Sequence, residues 1–385
     1  MKAARRDVLG VGLAGLTLAV SAPVAAASGG RGDALARLAA GLVREGHAAG
    51  VQVGVAEAGR EPFLAGYGMA NLETAAPVTA TSVFRMASCT KQFTAAAVLL
   101  LAERGKLALD QTIESLFPAF PRGDQVTVLQ LLTHTSGIHD YTSGGLPADA
   151  PGEWQRDPDR HRFLARMEPL FDFEPGTYWS YSNSGYALLG ELIEKLSGKS
   201  YGDFLRTALL EPAGMRSTAV DEFGDIVRGR ASGYSLQGNT AGAFRNAFWG
   251  GLPLAEGGLR STAADLLRWN AALFGGKILL DASLARMTEP ARVKDGRATG
   301  DARFTPPGQA PGQPPAFVTE PHYGCGVEVC RLFGRKAIWH SGGIRGFNAL
   351  LFHFADDGLD LALLANTDNG LVPAFEAFIR TATGS

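Results

Sequence analysis

A hydroxyl, an amine and a phenol can together transfer an acyl group, and this sequence offers one set of each at suggestive spacing. Ser88-Cys89-Thr90-Lys91 is the single Ser-x-x-Lys in the chain, and it opens an apolar run that ends at Arg104-Gly105. If that run is helical, Ser88 and Lys91 lie about one turn apart on one face, so the amine can reach the hydroxyl. Lys91 can then act as a base, provided burial or a neighbouring cation lowers its pKa by a few units from about 10.4. The helix N-terminus adds partial positive charge and free N–H groups where a substrate carbonyl would become an oxyanion. The same four letters also suit a serine cap followed by an exposed lysine.

Two further segments add chemistry. Tyr181-Ser182-Asn183 is the single Tyr-x-Asn, set in the polar and aromatic stretch Tyr178-Trp179-Ser180-Tyr181-Ser182-Asn183-Ser184-Gly185. In a turn, residues two apart can both enter a cleft, giving a phenol for proton transfer and an amide to hold a carbonyl. A turn whose Asn183 caps the next helix fits equally. His340-Ser341-Gly342-Gly343 follows a strand pattern. A strand edge there offers backbone N–H groups, and adjacent glycines admit a substrate closely. His322-Tyr323-Gly324 lacks the second glycine and is set aside.

These segments need a scaffold. Helical spacing over residues 33–44 is followed by strand patterns at 51–55 and 63–69, a hairpin across Ala58-Gly59-Arg60. Near the other end, strand patterns occupy 325–332, 336–340, 347–354 and 359–365, with Asp356-Asp357-Gly358 turning between the last two and a helix over 372–381. Helical patterns dominate between, at 91–104, 126–132, 160–167, 185–196, 201–209 and 263–273. The predicted fold is α+β: both chain ends join one antiparallel sheet flanked by helices, from about 33–90 and 322–385, with a helical insertion over about 91–321. The cleft is expected where the sheet edge meets the helices. The Pro- and Gly-rich stretch 299–315 reads as a surface loop.

The ordered set resembles the serine β-lactamase and penicillin-recognising group, in its class C β-lactamase, DD-peptidase and esterase-like branch. The likeness runs from about Asp33 to Arg380. It is carried by Phe84-Arg85-Met86-Ala87-Ser88-Cys89-Thr90-Lys91, Leu131-Leu132-Thr133-His134-Thr135-Ser136-Gly137, Tyr181-Ser182-Asn183, Glu211-Pro212-Ala213-Gly214-Met215 and His340-Ser341-Gly342. The resemblance implies Ser88 as nucleophile, Lys91 as the group that takes its proton or holds the base, and Tyr181 as the shuttle to the leaving atom. It implies that Asn183 grips a substrate amide, and that the N–H groups of Ser88 and Gly343 form the oxyanion hole. His340, Ser341 and Gly342 line the substrate site, with His340 standing where many β-lactamases carry lysine. The expected activity is acyl-enzyme hydrolysis of a β-lactam, a D-amino-acid peptide or an ester. The alternative is a sensor that binds penicillin or cell-wall fragments without turnover.

Other classes lose their support. Of 385 residues, 46% are hydrophobic and 19% charged, the balance of a globular enzyme. Lys2, Arg5 and Arg6 precede a short apolar run, and Ala25-Ala26-Ala27 offers a cleavage site, so residues 1–27 read as an export signal and 28–385 as the mature hydrolase domain. Arg5-Arg6 suggests the twin-arginine route to the periplasm or medium, with no membrane anchor left after cleavage. That cleavage removes three of 36 Lys and Arg and one of 38 Asp and Glu, leaving a net charge of −4 and no basic stripe, which excludes nucleic acid as a partner. Gly10-x-Gly12-x-x-Gly15 lies inside the signal and follows no strand pattern; no Gly-x-Ser-x-Gly elbow, Walker loop, His-Glu-x-x-His or Cys-x-x-Cys occurs. His134, His139 and Asp140 fit a helix end and loop better than a metal site, so no metal or organic cofactor is implied. Three cysteines are too few for a disulfide framework, and Cys325 and Cys330 would face opposite ways along a strand.

Overall fold

Strands form where apolar residues alternate between short turns, and here that pattern builds one sheet from both ends of the chain. In the computed structural model, which describes residues 30–152, 154–247, 253–306, 308–309 and 312–385, thirteen strands are assigned. They are β1 (Gly50–Glu57), β2 (Phe63–Asn71), β3 (Ala76–Pro77), β4 (Phe84–Arg85), β5 (Ala219–Val220), β6 (Tyr234–Leu236), β7 (Phe244–Asn246), β8 (Leu259–Ser261), β9 (Val318–Tyr323), β10 (Glu328–Leu332), β11 (Arg335–Ile344), β12 (Phe347–Phe354) and β13 (Leu359–Ala365). Eight of them make the antiparallel sheet in the order β3-β2-β1-β13-β12-β11-β10-β9. The ends of the chain meet at its centre, where Val51 pairs with Ala365 and Val55 with Leu361.

Both faces of the central strands are covered, so β13 is buried along its whole length. Leu359, Leu361 and Leu363 pack with the helices Arg31–Arg44 and Phe375–Thr383, while Ala362 and Leu364 pack on the opposite face. The period-2 alternation puts successive side chains on opposite faces, which a strand between two layers requires. On the second face lie Ala263–Phe274 and the helix Lys91–Glu103, in which all residues from Lys91 to Leu101 but Leu100 are buried. A helix buried nearly all round sits between layers, here between the sheet and the helical region. The antiparallel sheet, its flanking helices and a helix-rich insertion agree with the sequence expectation.

The insertion is not wholly helical. β5, β8 and β4 form a small sheet that ties it to the strand before the nucleophile turn, and β6 with β7 forms a hairpin. The main sheet also gains β9, which no strand pattern announced. Between 299 and 315, the first residues are not surface loop: Thr299 and Ala302 are buried, the Thr299 Oγ1 accepts from the Tyr323 N–H at 2.8 Å, and the Ala302 carbonyl accepts from the Trp179 N–H at 2.8 Å. Cys325 lies before β10 rather than in it, and all three cysteines are buried and unpaired. The expected export signal lies outside the described residues. Among the described residues no helix is long and apolar enough to cross a membrane.

Candidate active site

The nucleophile candidate sits on a tighter turn than an α-helix. Residues Ala87–Thr90 form a 3₁₀ turn that passes into Lys91–Glu103, and Ala87 at its start has φ +47°, a left-handed backbone uncommon outside glycine. In a 3₁₀ turn side chains three apart eclipse one another. The Lys91 Nζ accordingly lies 3.3 Å from the Ser88 Oγ. Ser88 caps nothing, and Lys91 is fully buried, which removes the cap-and-exposed-lysine alternative.

A buried ammonium needs acceptors. Lys91 donates to the Asn183 Oδ1 at 2.8 Å and to the Glu256 carbonyl at 2.6 Å, besides Ser88. Burial lowers its pKa to about 7, against the opposing pull of the Glu256 and Asp140 charges. Near neutral pH a substantial fraction of Lys91 is therefore uncharged and able to accept the Ser88 proton.

The Tyr181-Ser182-Asn183 segment leads into the helix Asn183–Ser197. Ser182, not Asn183, is its cap, accepting from the Gly185 N–H, so the Asn183 amide is free to turn toward Lys91. Asp140 orients that amide, accepting from Nδ2 at 3.2 Å and from the Asn183 N–H at 3.3 Å. The Tyr181 phenol interacts with the Ser88 side chain, and its ring centre lies 4.7 Å from the Lys91 Nζ. Burial raises the phenol's pKa, so it holds its proton across the neutral range. The three groups that sequence spacing singled out thus converge.

His134 locks this turn in place. Its carbonyl accepts from the Ser180 N–H at 3.0 Å and its Nδ1 from the Ser182 N–H at 3.1 Å. The remaining proton sits on Nε2, which has no hydrogen-bond partner and is packed among the rings of Tyr181, Tyr323 and Tyr186. Burial keeps the imidazole neutral, well below its ordinary pKa.

The fourth wall is β11. β10 pairs with it only as far as Trp339, so residues 340–344 have β12 on one side and the Ser88 turn on the other. Gly342 permits the approach: a Cβ there would lie 2.2 Å from the Met86 carbonyl. Gly326, with φ +73°, likewise lets the chain before β10 pass the Lys91 carbonyl, where a Cβ would come within 2.6 Å. Gly343 is exposed beside this close approach. His340 is buried and neutral, its pKa lowered to about 3, first by desolvation and then by Lys91. Its Nδ1 lies 2.6 Å from the Ser341 carbonyl and its Nε2 2.9 Å from the Tyr323 hydroxyl, which leaves neither nitrogen for a substrate. Its side chain braces β11 against Tyr323, on the strand that faces the Ser88 turn. Ser341 is half-buried on the same strand.

Several contributors escaped the sequence reading. Asp140 had been set aside with His134 and His139 as helix end and loop, and Tyr323 with the His-x-Gly of β9. His139 pairs with Asp172 at 2.7 Å and takes no part. Glu256 contributes a backbone carbonyl, and no motif marks a carbonyl. Its carboxylate is fixed by the Tyr141 hydroxyl at 2.8 Å. The one His/Asp/Glu group among the described residues close enough to hold a metal, Asp159, His161 and Glu191, lies elsewhere, with Glu191 already taken by His161 and Lys195.

A turn-borne serine with a buried lysine, a tyrosine and an opposed glycine strand is the arrangement of an acyl-transfer site. The chain belongs to the Beta-lactamase family, whose model matches residues 35–383. Among curated proteins it is 28% identical over 337 residues to Penicillin-binding protein 4* of Bacillus subtilis (strain 168), covering 81% of this chain and 67% of that one. It is 27% identical over 304 residues to a D-aminopeptidase of Gluconobacter oxydans (strain 621H), covering 78% of this chain and 52% of the relative. The chain thus spans about half to two thirds of these relatives' lengths. Among solved structures, the D-amino acid amidase from Ochrobactrum anthropi SV3 superposes with a TM-score of 0.74 at 26% identity, over 92% of this chain and 99% of that one. The octameric penicillin-binding protein homologue from Pyrococcus abyssi gives 0.72 at 26% identity, over 91% and 76%.

Proposed function

We propose that the protein is a serine hydrolase that cleaves amide or ester bonds of D-amino-acid compounds through an acyl-enzyme on Ser88. The observation that carries this is the 3.3 Å approach of the buried Lys91 Nζ to the Ser88 Oγ. Neutral Lys91 accepts the hydroxyl proton as Oγ adds to the substrate carbonyl, and the oxyanion rests on the N–H groups of Ser88 and Gly343. The Tyr181 hydroxyl beside Ser88 gives its proton to the departing nitrogen or oxygen and is restored by the proton that Lys91 took from Ser88, while the second lone pair of the Asn183 Oδ1 accepts from the acyl portion. Water then attacks the ester on Ser88, with the same groups working in reverse. The aminopeptidase and amidase relatives support a D-aminoacyl substrate over a β-lactam. So does the neutral His340, which places no fixed cation beside Ser341 for a substrate carboxylate.

The test is hydrolysis of D-alanine p-nitroanilide alongside a chromogenic cephalosporin and an acetate ester. Ser88→Ala should lose about 10³-fold or more in kcat/KM while melting as a folded protein. Turnover by that variant at the parent rate would refute the nucleophile, and a lasting Ser88 adduct without turnover would replace the hydrolase with a sensor. We also propose export of the chain by way of residues 1–27, to be tested by the N-terminal sequence of protein recovered outside the cytoplasm.

A further inference from the structure

Beside Tyr181 a cleft is lined by Trp179, Tyr181, Arg303, His322, Tyr323 and Glu328, and Asn183 is not among its walls. Nothing in the acyl-transfer scheme uses it. Its position follows from the chemistry: Tyr181 protonates the leaving atom, so whatever is bonded to that atom must run past the phenol, while the acyl portion lies toward Asn183. Tyr181 is the wall this cleft shares with the acyl-transfer groups, so a leaving group that runs past the phenol meets it.

Its chemical character is set by Glu328, the first residue of β10, which stands across from Tyr323 on β9 and Trp339 on β11. The side chain is half-buried, and its carboxylate makes no hydrogen bond or ion pair with any described residue. Desolvation without a partner raises its pKa to about 7, opposed only by the charge of Arg303. Arg303 lines the same cleft but makes no ion pair with Glu328: its guanidinium lies 4.8 Å from the centre of the Trp179 ring and is exposed to water that screens it. A carboxylate placed in a cleft without a partner is costly in the empty protein and is compensated by a cation that enters.

We propose that Glu328 is a specificity-determining residue that receives a positively charged group on the leaving portion of the substrate. The proposal rests on the acyl-transfer reading of Ser88 and names the class of amide which that site prefers: one whose departing amine carries a second, cationic amine. Cleavage breaks the acyl C–N bond, and the departing nitrogen takes its proton from Tyr181. The cation at Glu328 is a spectator that positions it.

Three D-alanine amides of similar size separate the possibilities by the charge of the leaving portion: the N-(2-aminoethyl) amide, cationic there; the N-propyl amide, neutral there; and D-alanylglycine, anionic there. The parent protein should cleave the aminoethyl amide with kcat/KM about 10-fold above the propyl amide, expressed mainly in KM. In Glu328→Gln that ratio should fall to near one, and in Glu328→Lys the preference should pass to D-alanylglycine. A parent that cleaves all three without preference, or favours D-alanylglycine, overturns the assignment while leaving the hydrolase reading intact. So does a Gln variant that lowers all three rates in proportion, which is the mark of a merely structural residue. Cleavage of none of the three by a protein that still hydrolyses D-alanine p-nitroanilide overturns this assignment alone, and failure on the anilide and the acetate ester as well overturns the hydrolase reading with it.

Discussion

Asp140 offers the most direct access to the electrostatics of the proposed base. It touches neither Ser88 nor Lys91, yet its carboxylate holds the Asn183 amide whose oxygen accepts from Lys91. With contacts of 2.8 and 3.2 Å and one amide between, the ammonium and carboxylate lie ~7 Å apart, and at an effective permittivity of ~20 to 40 their attraction is roughly 1–2 kcal/mol, or about one pH unit. Asp140 favours charged Lys91, so Asp140→Asn makes the ammonium harder to keep and lowers the pH at which the amine becomes free. The parent's kcat/KM for D-alanine p-nitroanilide should rise with pH through about 7, where Lys91 loses its proton. In Asp140→Asn that acidic limb should move down by about one unit, so the variant gains relative activity near pH 6 whatever its plateau. Asparagine can still accept from Asn183, which keeps the geometry comparable. An acidic limb that stays in place or moves upward would refute Lys91 as the group being titrated.

Two other perturbations probe the same construction. Gly342→Ala places a methyl 2.2 Å from the Met86 carbonyl and must push β11 away from the Ser88 turn, so kcat should fall by roughly 10²-fold with KM less affected, as measured by steady-state kinetics on the same anilide. Lys91→Met changes how stability depends on pH. The folded parent sheds the Lys91 proton near pH 7 while the unfolded chain keeps it to about 10.5. The unfolded state therefore binds more protons between those values, and the parent gains up to about 1.4 kcal/mol per pH unit over that window relative to the variant. Urea midpoints at pH 7, 8 and 9 should show the two proteins diverging, and parallel midpoints would refute the buried, depressed lysine.

The sequence disclosed the scaffold where local signals and tertiary packing agree. β12 and β13 fall at the predicted residues because uninterrupted apolar runs flank the tight turn at Asp356-Asp357-Gly358. β9 was missed because Pro321 and Glu320 interrupt its pattern, features tolerated on an edge strand with one hydrogen-bonded neighbour. β10 begins later than predicted because Gly326, with φ +73°, turns the chain before Glu328. In the site, spacing alone brought Ser88 to Lys91, since three residues on a turn fix a distance. The pairing of Lys91 with Glu256 depends on a loop folding back, and that of His340 with Tyr323 on two strands separated in the sheet by β10, neither of which a local pattern encodes. His340 illustrates the limit: its hydrogen bonds to Tyr323 and to the Ser341 carbonyl exist only once the sheet is assembled.

Because β1 and β13 are neighbours at the middle of the sheet, the serine turn near the start of the chain and the glycine strand near its end are held in one frame only once distant segments have joined. Contacts of such wide sequence separation are slow to form and are won late in folding. A chain in which β11 has not yet joined the sheet therefore carries Ser88 and Lys91 but no opposing wall, and the site is complete only when these distant strands have docked.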